Sequence, residues 1–106
     1  MTPISELPKR DEVLPSLIKR LGILVTDSTA PIFHRFEATD LLVRLAIGPR
    51  YRPADDIDAA TSRHARIVLS DAARFLDQVM ASKNSRARTR LHAASLASLV
   101  TQVLLS

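Results

Sequence analysis

Three histidines and a few charged clusters are the residues of this chain whose types and spacing could do chemistry. His34 and Glu37 stand three apart, which puts an imidazole and a carboxylate on one helix face, where they could share a metal ion. His64 and His92 lie far from them in sequence. Carboxylate-bridged metal bundles draw several glutamates and paired Glu-x-x-His units from facing helices, and Glu6, Glu12 and Glu37 are all the glutamates present. The chain has no cysteine, which excludes disulfides, thiolate nucleophiles and thiolate ligands. We therefore expect histidines at the core edge, no metal centre and no cofactor. Asp55-Asp56-x-Asp58 lacks the glycine and closing glutamate of a calcium loop, and reads as an acidic helix start facing the positive end of the macrodipole. Ser and Thr are frequent, but no phosphate loop or nucleophile elbow accompanies them. The expectation is a protein that is not an enzyme.

Two basic clusters remain. Residues 1–77 hold eleven Lys/Arg and all eleven Asp/Glu, so the net charge of +4 resides in Lys83, Arg86, Arg88 and Arg90. Charge concentrated in this way attracts acidic protein surfaces or phosphates. Arg86 and Arg90 share one helix edge and Arg88 projects roughly opposite, so the cluster rings the start of a helix instead of lining a groove. Cations at that place oppose the helix dipole, at ~0.3–1 kcal/mol each when exposed, and residues that cost local stability are candidates for function. No aromatic is interleaved with them, which leaves base stacking without a platform. Arg50-Tyr51-Arg52, between Gly48-Pro49 and Pro53, forms a secondary patch. Tyr51 either anchors a partner there or covers the end of a helix pair.

The elements that must position these groups are helices. At 106 residues, with 46% apolar and 25% charged residues, the chain suits one globular domain. Two glycines, one tyrosine and no tryptophan argue against an all-β design. No window approaches the roughly 18 apolar residues of a membrane span. Residues 1–8 lack the apolar run of a signal peptide, so a cytoplasmic protein is expected, and the Ala/Arg-rich composition suggests a bacterial one.

The predicted architecture is an all-α, irregular four-helix bundle over 11–106, preceded by a flexible arm at 1–10. A short helix 1 begins near Asp11-Glu12, carries Pro15 in its first turn and the stripe Leu14, Leu17, Ile18, Leu21, and stops at Gly22. Ile23-Leu24-Val25 is then an apolar connector or a last helical turn. Asp27-Ser28-Thr29 supply N-cap candidates for helix 2, over 30–47. Its apolar side chains, Ile32, Phe33, Phe36 and Leu41 among them, cover most of the circumference, so it is expected to be enclosed at the centre of the fold or else to face a second chain. Helix 3, over 54–81 and about 40 Å long, has the cleanest pattern. Its core side carries Ile57, Ala65, Val68, Leu69, Ala72, Phe75, Leu76 and Val79. A turn at 82–85, with Asn84 suited to a left-handed cap and Ser85 to the next N-cap, leads into helix 4 over 86–105. There His92, Leu96, Leu99, Val100 and Val103 form the expected core stripe, and helices 3 and 4 pair as an antiparallel hairpin.

Together these features predict a small non-enzymatic helical module that binds another protein, as an adaptor, regulator or inhibitor. The alternative is a nucleic-acid-associated protein touching phosphates through the 83–90 turn. Leu104 and Leu105 fall outside helix 4's core stripe, which predicts self-association into a homodimer at that end.

Overall fold

The structure, a computed structural model, describes residues 10–47 and 59–105. They form α1 (Arg10–Thr26), α2 (Ile32–Ile47), α3 (Ala59–Ala81) and α4 (Ala87–Leu105). The described residues form an all-α four-helix bundle. Sequence neighbours pack as the hairpins α1–α2 and α3–α4, and α1 against α3 and α2 against α4 join the two. Helix α2 also reaches α3 across the middle. The helices alternate in direction. Val25 at the end of α1 meets Arg35 at the start of α2, and Arg66 early in α3 meets Leu104 at the end of α4. Phe36 and His92 touch from the beginnings of α2 and α4, so the two short connections, 27–31 and 82–86, sit at the same end of the bundle.

Helix α3 follows its sequence pattern closely. Val68, Leu69, Ala72, Phe75, Leu76 and Val79 are all buried, while Arg63, Arg66, Arg74 and Asp77 are exposed. Against them pack Ile18 and Val25 of α1, Phe36, Leu42 and Val43 of α2, and Leu96 and Val100 of α4. Ile57 and the acidic run Asp55, Asp56 and Asp58 lie outside the described residues, as do residues 1–9, where most of the expected arm falls.

Helix α1 is not short. It has 17 residues against 16 in α2, because Gly22 does not end it. Gly22 is buried, and a Cβ built on it would stand 3.0 Å from both methyl groups of Val68. Its role is the close approach of α1 to α3, and Ile23-Leu24-Val25 completes the helix with Val25 fully buried. Pro15 lies inside α1, which begins at Arg10. Leu17, read as a core residue, is exposed.

Helix α2 touches all three neighbours, yet it is not enclosed. Phe33 and Leu41 are exposed, because an apolar circumference leaves the rotation of a helix to its partners. It begins at Ile32, two residues after the sequence expectation. Asp27 does not cap it directly. Its Oδ1 accepts the backbone N–H of Thr29 at 2.9 Å and the Thr29 hydroxyl at 2.6 Å, while Pro31 supplies the first helical carbonyl to Arg35 at 3.2 Å. Helix α4 is likewise turned from its expected phase. Ala93 joins Leu96, Val100 and Val103 in the core, Leu99 is half-buried, and His92 is exposed at the α2 edge. Among the described residues no positive φ occurs, so Asn84 is not a left-handed cap. Arg86 stands where Ser85 was expected, its carbonyl accepting the Arg90 N–H at 3.0 Å.

Among the described residues no helix is long and apolar enough to cross a membrane.

Candidate functional site

The basic cluster occupies the α3–α4 turn and the first turn of α4. Ser82 N–H donates to the Val79 carbonyl at 3.2 Å and Ser85 N–H to the Ser82 carbonyl at 3.3 Å, which folds the chain back within four residues. Lys83, Arg86, Arg88 and Arg90 are all exposed, and none of them forms an ion pair among the described residues. Four other arginines are held by partners. Arg44 pairs with Asp40 at 2.9 Å and Arg74 with Asp71 at 3.1 Å, each within its own helix. Arg35 and Arg66 donate to backbone carbonyls of Val25 and Leu104. The turn thus concentrates four cations outside any ion pair among the described residues, in a stretch of sequence where no Asp or Glu follows Asp77.

Beside this turn lies a ring cluster that the sequence did not disclose. His92 sits one helical turn after Arg88, on the same face of α4. Its ring centroid is 4.7 Å from that of Phe36 and 6.3 Å from that of Phe33. Phe33 meets Phe36 edge-on at 5.7 Å, and Phe36 meets Phe75 at 5.8 Å. Phe36 is buried, whereas Phe33 is 51% exposed. An aromatic surface therefore continues from the core to the solvent next to the arginines. The signal was present in the spacings Phe33–Phe36 and Arg88–His92, but only α2–α4 packing brings the two pairs together.

The same end of the bundle is braced from below. The Arg35 guanidinium carbon lies 3.8 Å from the Phe75 ring centroid while Nε donates to the Val25 carbonyl at 2.8 Å. Burial pushes the Arg35 guanidinium below its ordinary pKa, and the Asp27 carboxylate partly offsets this. The Thr29 hydroxyl, with the Thr29 N–H, holds the Asp27 carboxyl below its ordinary range.

The three histidines are not gathered. His34 and Glu37 are exposed on α2, His64 is exposed on α3, and His92 belongs to the ring cluster. Among the described residues no group of three or more His, Asp or Glu could hold a metal ion. Arg50, Tyr51 and Arg52 lie outside the described residues. Leu104 is half-buried against the core and Leu105 is exposed. Compared with known proteins, the chain matches no family model, no curated protein and no solved structure.

Proposed function

We propose that the protein is a non-enzymatic interaction module that binds an acidic surface of another protein at the α3–α4 turn, in the manner of an adaptor, regulator or inhibitor. The observation that carries this reading is the set of four exposed, unpaired cations beside an exposed ring. Lys83, Arg86, Arg88 and Arg90 supply long-range attraction to carboxylates. Phe33, with His92 behind it, offers an apolar contact that a partner can desolvate. A phosphate polymer is the second reading. It is less favoured because residues 91–105 of α4 add no Lys or Arg along which a backbone could be tracked.

The test compares the wild type with a variant carrying Lys83→Glu, Arg86→Glu, Arg88→Glu and Arg90→Glu. Affinity capture from the native host identifies a partner, and calorimetry with the purified partner measures binding to both forms. Reversal should abolish binding with helicity intact, because acids suit the start of α4. Undiminished binding would reduce the cluster to a solubilising turn. Retention on nonspecific DNA with a log–log salt slope of about −3.6, the value for some four phosphate contacts, would assign the turn to nucleic acid instead.

A further inference from the structure

The outward face of α4 differs from those of the other helices. Along it run Arg88, Leu91, Ser95, Ser98, Gln102 and Leu105, alternately three and four residues apart, and all are exposed. That spacing keeps a row of side chains in line along a helix, as in a seam between two helices. Leu91 and Leu105 are the most exposed large apolar residues described, at 72% and 82%. The exposed faces of α1, α2 and α3 carry Lys19 and Arg20, Glu37 and Arg44, and Arg63 and Asp77 respectively. On α4, after Arg90, there is no Lys, Arg, Asp or Glu at all.

We propose that this face is the interface of a two-fold homodimer in which α4 packs antiparallel against α4 of a second copy, with the symmetry axis at Ser98. Ser98 lies midway between Leu91 and Leu105, with the uncharged Ser95 and Gln102 on either side of it. The stretch from Leu91 to Leu105 thus ends in a leucine whichever way it is read. Turning a second copy about an axis at Ser98 sets each Leu91 beside Leu105 of the other copy, and the small side chains of Ser95 and Ser98 at the centre let the helices approach. Charge selects the direction. Parallel pairing would bring both sets of Arg86, Arg88 and Arg90 together with no acid between them. Antiparallel pairing moves them apart and lays Arg88 near the last turn of the other α4, the negative end of its dipole. Leu104, half-buried against its own core, is not needed at this seam. The seam shares only Arg88 with the acidic-partner reading, and Leu91→Glu with Leu105→Glu leaves Phe33 and all four cations in place, so the two readings are tested separately.

The chain has no cysteine, which makes directed cross-linking clean. Sedimentation equilibrium at up to about 100 μM, where a complex of that Kd is substantially populated, should show twice the 11.7 kDa chain mass. Leu91→Glu with Leu105→Glu should return the single-chain mass with unchanged helicity, since both residues are exposed. Under mild oxidation Ser98→Cys should link to itself roughly tenfold faster than the off-seam control Ile67→Cys, because a disulfide needs Cα atoms within about 7 Å. Leu91→Cys should not link to itself but should link to Leu105→Cys when the two variants are mixed. A monomer at all concentrations, or a Ser98→Cys variant that links no faster than the control, overturns the proposal. Self-linking of Leu91→Cys as fast as that of Ser98→Cys overturns the antiparallel arrangement.

Discussion

Arg35 joins three elements through one planar group, with its Nε on the last turn of α1, its charge over the Phe75 ring of α3 and its stem on α2. A hydrogen bond from a charged donor contributes about 1.5–3 kcal/mol and a cation–π contact about 0.5–2 kcal/mol, toward the lower figures where the group is partly wet. Arg35→Ala should therefore cost about 2 kcal/mol in denaturant unfolding. Arg35→Lys should recover little of it, because an ammonium cannot bond the carbonyl and lie flat on the ring together. Asp27 offers a second test at this scale. Its carboxyl is held down first by the Thr29 hydroxyl and then by the Thr29 N–H, so Thr29→Val should move its titration up toward the ordinary carboxylate value. The carboxyl carbon shift followed by NMR would show this. Because the folded value is lowered, the stabilising contribution is complete above the unfolded-state pKa and is lost as pH falls through the folded one. In Thr29→Val that acid-side loss should shrink.

Among the elements, α1 and α3 meet where Gly22 faces Val68, and this contact sets how closely the two hairpins lie. Gly22→Ala would add about 1 kcal/mol of helix propensity, but its methyl group would press on both Val68 methyls, and overpacking typically costs about 1–3 kcal/mol. The substitution should come out neutral to destabilising by about 2 kcal/mol. Combined with Val68→Ala it should be less harmful than the separate effects add up to, which a double-mutant cycle in urea measures. The same glycine shows where sequence legibility ends. Gly22 lies after a clean apolar stripe and so resembles a helix stop, and only the partner helix reveals it as a contact point. The core side of α3 was legible from Val68 to Val79 because charged residues mark its opposite side. In α2 and α4 apolar residues surround most of the helix, so periodicity leaves the rotation open. That is why Phe33 and His92 were expected inside and Ala93 was passed over. The candidate site divides in the same way. Its arginines are visible as composition, whereas the rings beside them depend on contacts between α2 and α4.

At the scale of the whole molecule, the packing of sequence neighbours as hairpins, with α3–α4 the most extensive pair, bears on how the chain folds. Contacts within a hairpin close over short stretches of chain, and bundles dominated by such contacts fold quickly. The α1–α3 crossing instead joins residues 22 and 68, which the chain can bring together only after a much larger loop has closed. In stopped-flow kinetics, core truncations within the α3–α4 hairpin, such as Val79→Ala or Leu96→Ala, should slow folding, with φ values above about 0.5. Val68→Ala, at the crossing, should chiefly speed unfolding, with φ below about 0.3. Uniform φ values across the two sets would mean that the hairpins do not form ahead of their docking. If the gradient holds, the lifetime of the folded state is governed at the joint between the hairpins, and substitutions beside Gly22 can change how long the molecule survives without changing how fast it forms.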